Sequence, residues 1–275
     1  MQSAVVDHFS DRGLVGIPTL EEIGGLNASN EIELGEQIRT VLRLMKPQRA
    51  LGQRKARFGR PNDGGYTHLD DFSGVNVALS LGIRDDISWD LDAANRGLRI
   101  YQFDHTVDDP APEDHRMVFS KTMIAAQPAT GCTTLESLVH EHDKGLAKPN
   151  IFLKMDIEDS EWSVIEATPQ EHLGRFTQIT CEMHGFENFV RSEWRQGFYR
   201  ALRKLSLNYA PVHVHANNFA DFGVIAGVPV ANVLEVSWAN RAVYDLVDTD
   251  ETFPGPLDMP CWSGGPDHYL GSFRY

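Results

Sequence analysis

Apolar residues recur along this chain at two spacings, and the switches between them predict its elements. Asn76–Leu81 alternates apolar with small residues and stops at Gly82, which predicts a strand. Asp85-Asp86 precede a helical spacing through Trp89, Leu91 and Ala94, and Gly97 closes it. Leu98–Phe103 is a second apolar run with Asp104 at its carboxyl end. Together they make one βαβ unit, with its ligand crevice expected at the carboxyl ends of the strands. The same logic predicts a third strand near Met117–Phe119 and a helix through Leu135, Leu138 and Val139, capped by Thr133 or Thr134. Strands follow at Ile151–Met155 and Phe176–Met183, with a helix from Ser160 through Trp162, Val164 and Ile165 between them. A helix over Phe189–Leu205 and strands at Tyr209–His215, Phe222–Ile225 and Val233–Trp238 complete the pattern. Ahead of it, Ile32, Ile38, Val41, Leu42 and Met45 form a helical stripe in Glu31–Lys46, stopped by Pro47. Met1 to Asn30, punctuated by Gly13, Gly16, Pro18 and Gly24-Gly25, reads as irregular.

This order predicts the α/β class: a Rossmann-like, doubly wound, mainly parallel sheet with antiparallel late strands. At 275 residues the chain suits one domain. We divide it into a helical cover segment over 1–56, a Rossmann-like core over 57–250 and a Pro/Gly-rich tail over 251–275.

Charge narrows the partners. A net charge of -14 argues against a nucleic-acid surface, which needs clustered Lys and Arg. No apolar run approaches a membrane span, so an integral membrane protein is not expected. The start, MQSAVVDHFSDRG, has neither a basic beginning nor an apolar signal core. Cys132, Cys181 and Cys261 are odd in number and widely spaced, which gives no disulfide framework and fits a cytoplasmic protein.

The chemistry is expected at the strand ends. Gly82 lets a ligand approach the backbone, with Ile83, Arg84 and Asp86 in the following turn, and Asp104 and His105 after the second strand. Asp104 is placed to accept hydrogen bonds from ribose hydroxyls. No G-x-G-x-x-G is present, and Asp85 and Asp86 would repel a pyrophosphate. An adenosine ligand without phosphates, S-adenosylmethionine, therefore suits the turn better than NAD. Asp63, Gly64, Gly65 and Tyr66 make a tight turn that can lie against a ligand. Three polar clusters fall at later strand ends: Asp156 with Glu158, Glu182 with His184, and His213 and His215 with Asn217 and Asn218. Residues two apart on a strand share a face. Glu182, His184, His213 and His215 can thus act as bases or hold a divalent metal. Arg57 and Arg60 lie in a basic stretch suited to an anionic substrate.

FLKMDIEDSEWSVIE, from Phe152 to Glu166, resembles the lysine–acidic–hydrophobic–acidic signature of FkbM-type methyltransferases. DGGY at Asp63, SLGIRDDISWD from Ser80, YQFDHT from Tyr101 and CEMHGF from Cys181 are similar to a related methyltransferase-like branch. The likeness covers about Arg57 to Phe219. It implies a class I S-adenosylmethionine-dependent methyltransferase with a seven-stranded sheet containing one antiparallel strand. Gly82 and its turn would hold the cofactor, and Asp104 its ribose. Asp156, Glu182, His184, His213 and His215 are the candidate catalytic residues. Arg57, Arg60, Glu158, Asn217 and Asn218 are the candidates for holding the acceptor. FkbM-type enzymes mostly methylate oxygens, so the expected acceptor is a small-molecule or glycan hydroxyl, with an acidic sugar as one form. Two departures stand out: Asp159 where the signature usually has Gly, and a glycine motif reduced to Gly82. The competing readings are an NAD(P)-dependent oxidoreductase, a non-catalytic binding protein, and a methyltransferase with a protein or small-amine acceptor.

Overall fold

The computed structural model of the chain describes residues 17–111 and 113–275. The expectation of irregular chain around Gly13 and Gly16 lies outside the described residues. Seven strands form the central sheet: β1 (Val77–Leu81), β2 (Arg99–Phe103), β3 (Met117–Ser120), β4 (Ile151–Met155), β5 (Phe176–Met183), β6 (Tyr209–Ala216) and β7 (Leu234–Asn240). Their order is β6-β7-β5-β4-β1-β2-β3. Only β7 runs antiparallel, and it sits between β5 and β6. The chain therefore has a Rossmann-like, doubly wound and mainly parallel sheet with one antiparallel late strand.

Alternation along the strands divides the sheet into two faces. Ile151, Leu153 and Met155 of β4, Ile179, Cys181 and Met183 of β5, and Val236 and Trp238 of β7 join one core. That core is closed by α1 (Glu31–Leu42), α3 (Leu135–His142), α4 (Glu161–Ala167) and α5 (Ser192–Asn208). On the other face, Ala78, Ile100 and Phe152 pack under α2 (Ser88–Asn95) and a hairpin of Lys55–Phe58 with Tyr66–Leu69. Each large apolar side chain so buried contributes roughly 1.5–3 kcal/mol relative to exposure.

The second face also carries a polar seam. Ser80 pairs in register with Gln102 and Lys154, Lys154 with Thr180, Thr180 with Ser237, and Ser237 with His213. The seam is partly satisfied internally: the Thr180 and Ser237 hydroxyls lie 3.0 Å apart, and Gln102 donates to Asp90 at 3.1 Å, whereas Ser80 Oγ, Gln102 Oε1 and His213 Nδ1 are buried without a partner. Two residues on, the seam reaches the carboxyl edge of the sheet as Gly82, Asp104, Asp156, Glu182, Glu235 and His215.

Several elements differ from the sequence pattern. Helix α1 stops at Leu42 and continues as a 3-10 turn over Arg43–Met45. Ile32 is 81% exposed because, six residues before Ile38, it sits about 120° around the helix from the buried stripe. Phe222–Ile225 is a strand, but it pairs only with Val228–Ala231, outside the main sheet. The long helix begins at Ser192, after a 3-10 turn over Phe186–Val190.

Candidate active site

Gly82 sets the geometry at the end of β1. Its φ is +70°, and a Cβ there would lie 1.6 Å from the carbonyl oxygen of Asp156. Only glycine lets the ends of β1 and β4 close in this way. The Lys154 ammonium donates to the Gly82 carbonyl at 2.5 Å and holds the turn from below.

Asp104 organises the turn that follows. Its Oδ2 accepts the backbone N–H groups of Ile83 (3.0 Å) and Arg84 (2.8 Å). Its Oδ1 accepts the Thr106 N–H (2.7 Å) and hydroxyl (2.6 Å). Burial alone would raise this carboxyl, but the bonds from Thr106, Arg84 and Ile83 outweigh it and hold it below the usual carboxylate range. A protein carboxylate thus takes backbone amides that a phosphate would take in a glycine-rich loop. Four donors fill the acceptor capacity of a carboxylate. In this structure Asp104 shapes the turn.

The tight turn before Tyr66 is the tip of the hairpin, and it leans on α2. Arg60 Nε donates to the Asp63 carbonyl (2.7 Å) and lies 3.1 Å from Asp86. The Arg57 guanidinium donates to the Asn62 carbonyl (2.5 Å) and lies where a Cβ on Gly65 would be. Both arginines hold their own turn; Arg57 Nε and Nη1 are buried without a partner, and Arg60 is half exposed and lines the cavity at the carboxyl edge of the sheet.

A cavity of about 640 Å³ opens at the carboxyl edge. One side is formed by Gly82–Asp86, Phe103–Thr106 and Thr122–Ile124. The other is formed by Tyr66, Asp156–Glu158, Glu182, His184, Asn217 and Phe219. The Tyr66 hydroxyl donates to Asp156 Oδ2 at 3.2 Å. Asn217 donates to Glu182 Oε1 at 2.9 Å. His184 lies 3.2 Å from Glu161, 3.6 Å from Glu182 and 3.8 Å from Glu158. Burial opposes a charge on His184, but the hydrogen bond and charge of Glu161, then Glu182 and Asp156, lift it to about 9. Glu182 is raised far above the ordinary carboxylate value by burial, with Asp156 and Glu235 adding repulsion. His184 is thus biased towards its protonated form, and Glu182 towards its acid form.

Of the residues expected from the sequence, Arg60, Asp63, Gly64, Tyr66, Gly82, Ile83, Arg84, Asp86, Asp104, His105, Asp156, Glu158, Glu182, His184 and Asn217 line this cavity. Arg57, Gly65, His213, His215 and Asn218 lie outside its lining. His213 bonds Asp258 at 2.7 Å, and His215 sits between Glu235 (2.7 Å) and Asp267 (3.0 Å). Asn218 holds the backbone of Trp262 and Pro266. The expected metal set of Glu182, His184, His213 and His215 is therefore split. The histidines of β6 face the C-terminal tail, which covers that end of the sheet. Among the described residues, donor atoms converge within 4.8 Å in two other sets: Asp156, Glu161 and His184, and His215, Glu235 and Cys261.

Phe103, Thr122, Met123, Ile124 and Glu161 are cavity or site residues that sequence reasoning missed. Phe103 ends β2 and Thr122 follows β3, so the strand-end rule applied to every strand finds them. Glu161 lies two residues after Asp159, inside the stretch that carries the signature.

A family model described as a methyltransferase FkbM domain matches residues 73–211. No curated protein matches the chain. Among solved structures, the chain is similar to precorrin-6y C5,15-methyltransferase from Geobacter metallireducens, at 11% identity over 62% of this chain and 84% of that one, with a TM-score of 0.32. It is similar to a putative rRNA methylase from Clostridium thermocellum at 12% identity, over 60% and 86% of the two chains, with a TM-score of 0.32. Likenesses this weak carry no argument; the strand order and the family match do. No helix among the described residues is long and apolar enough to cross a membrane.

Proposed function

The chain belongs to the FkbM methyltransferase domain family, and from that premise we propose an S-adenosylmethionine-dependent O-methyltransferase acting on a hydroxyl of a neutral sugar or glycoconjugate. The observation that carries this reading is the two-sided cavity. Its volume of about 640 Å³ lies within the range of small-molecule sites. The turn is closed on Asp104 and flanked by Asp85 and Asp86, which suits a cofactor without phosphates. Phe103, Met123 and Ile124 offer apolar surface for an adenine ring, and the turn carboxylates attract a cationic amino-acid moiety. When bound, this cofactor supplies a methyl group activated by its sulfonium.

The opposite wall favours a neutral polyhydroxyl acceptor. Asp156, Glu158, Glu182 and Asn217 offer hydrogen bonds to hydroxyls, and carboxylates outnumber the single His184 cation on this wall. Asp156 is the group to accept the hydroxyl proton: Tyr66 orients its Oδ2, and among the described residues its Oδ1 carries no hydrogen bond. Glu182, which burial displaces towards its acid form, is the neighbouring group for a hydrogen bond to an acceptor oxygen. A divalent ion on Asp156, Glu161 and His184 is the second way to activate the hydroxyl, and it is motivated by their converging donor atoms.

The test is calorimetric titration with S-adenosylhomocysteine and NAD, then methyl transfer to matched neutral and acidic sugars. We expect micromolar binding of S-adenosylhomocysteine alone and transfer to neutral sugars. Binding of NAD instead, or transfer only to amines, would sink the reading. Loss of transfer on chelation, with cofactor binding intact, would favour the ion over Asp156 alone.

A further inference from the structure

Outside the cavity lining, three side chains from distant parts of the sequence meet where the tail crosses β6 and β7. His215, Glu235 and Cys261 each bring a donor atom within 4.8 Å of the others. They are 1%, 4% and 3% exposed, so the cluster is shielded from water. The Cys261 thiol lies 3.4 Å from Glu235 Oε1, and His215 Nδ1 lies 2.7 Å from Glu235 Oε2. On the far side of the ring, both Asp267 oxygens lie 3.0 Å from His215 Nε2. A carboxylate on the outer nitrogen is the usual support of a metal-bound histidine, because it fixes the ring and the tautomer.

Glu235 lies opposite Glu182 in register across the β5–β7 ladder. Glu235 and Asp267 share one imidazole, and among the described residues no Lys or Arg pairs with either.

We propose that His215, Glu235 and Cys261 bind a divalent cation of the zinc class and so fasten the C-terminal tail to the sheet. Sulfur and imidazole donors select zinc over magnesium or calcium, which prefer all-oxygen sites. Three protein ligands leave a fourth position open in a tetrahedral site. The next residue, Trp262, has its backbone N–H and C=O held by Asn218, whose neighbours Asn217 and Phe219 line the cavity. The ion would thereby fix the tail beside the acceptor wall without entering the methyl-transfer site.

The experiment uses the full chain, stripped with a chelator and titrated separately with Zn²⁺, Mg²⁺ and Co²⁺. One equivalent of Zn²⁺ should bind, Mg²⁺ should not compete, and Co²⁺ should give a thiolate charge-transfer band. Cys261→Ser should remove the band and weaken Zn²⁺ binding by about 100-fold, while Cys132→Ser leaves both unchanged. Asp267→Asn should keep the band and weaken binding by roughly 10- to 100-fold. That variant stands in if Cys261→Ser does not fold. Absence of Zn²⁺ binding by the wild-type chain, a band that survives Cys261→Ser, or an affinity unaltered by the Cys261 and Asp267 substitutions would overturn the site. S-adenosylhomocysteine titration of the same samples separates this result from the methyltransferase reading.

Discussion

Asp159 shows how a departure from a signature is resolved one residue at a time. It stands where glycine is usual, and its φ is +70°, beside Glu158 at +52°. The left-handed region costs an L-residue roughly 1–2 kcal/mol, somewhat less for Asp, so Asp159→Gly should stabilise the fold by about 1 kcal/mol in urea unfolding. Gly82→Ala should act in the opposite sense. Its Cβ would collide with the Asp156 backbone, and we expect a loss of about 2–4 kcal/mol together with cofactor binding. Asp104 adds a pH dependence. Its folded value is depressed, so its contribution to stability is complete above the unfolded value of about 3.9 and is lost as pH falls through the folded value. Urea midpoints of wild type and Asp104→Asn should therefore differ at pH 7 and converge towards pH 2; a gap that persisted in acid would contradict this. The place of Asp104 was legible, because a carboxylate after an apolar run marks a strand end. Its bonding was not, because the loop that supplies Thr106 has no period to read.

At the scale of elements, the strands were readable wherever the period was short and the flanks were marked by Gly, Asp or Pro. Polar residues inside apolar runs, such as Lys154 and Thr180, are the visible trace of the seam that leads to the site. The spacing of His213 and His215 correctly implies one shared face. It says nothing of what covers that face, and the tail takes both rings through Asp258 and Asp267. The seam also separates the roles of two carboxylates. Glu182 is already displaced towards its acid form, so Glu182→Gln should shift stability by less than about 0.5 kcal/mol and methyl transfer by less than tenfold. Asp156→Asn removes the proposed base and should lower transfer by about 10²- to 10⁴-fold with cofactor binding retained. Equal losses in the two variants would move the base to Glu182.

For the whole molecule, the sheet class followed from alternation of elements, whereas the tail over 251–275 had no pattern from which to place it. Its Pro and Gly residues forbid a periodic reading, and its partners are single polar side chains far away in sequence. Asp258 shows what such a segment does. It accepts from His213 at 2.7 Å, from the Thr67 hydroxyl at 3.3 Å and from the Gly255 N–H at 2.6 Å, so one carboxylate joins the tail, the hairpin and β6. Removing one partner of a buried pair leaves the other unpaired, at a cost of about 3–5 kcal/mol. Asp258→Ala should lower the unfolding free energy by about that amount and speed protease cleavage within 251–275. The turn around Gly82 makes none of these contacts, so S-adenosylhomocysteine should still bind at temperatures where the variant is folded. Cleavage as slow as in wild type would mean that the tail is held by its apolar contacts, with Phe253 and Phe273 in the core, rather than by this carboxylate.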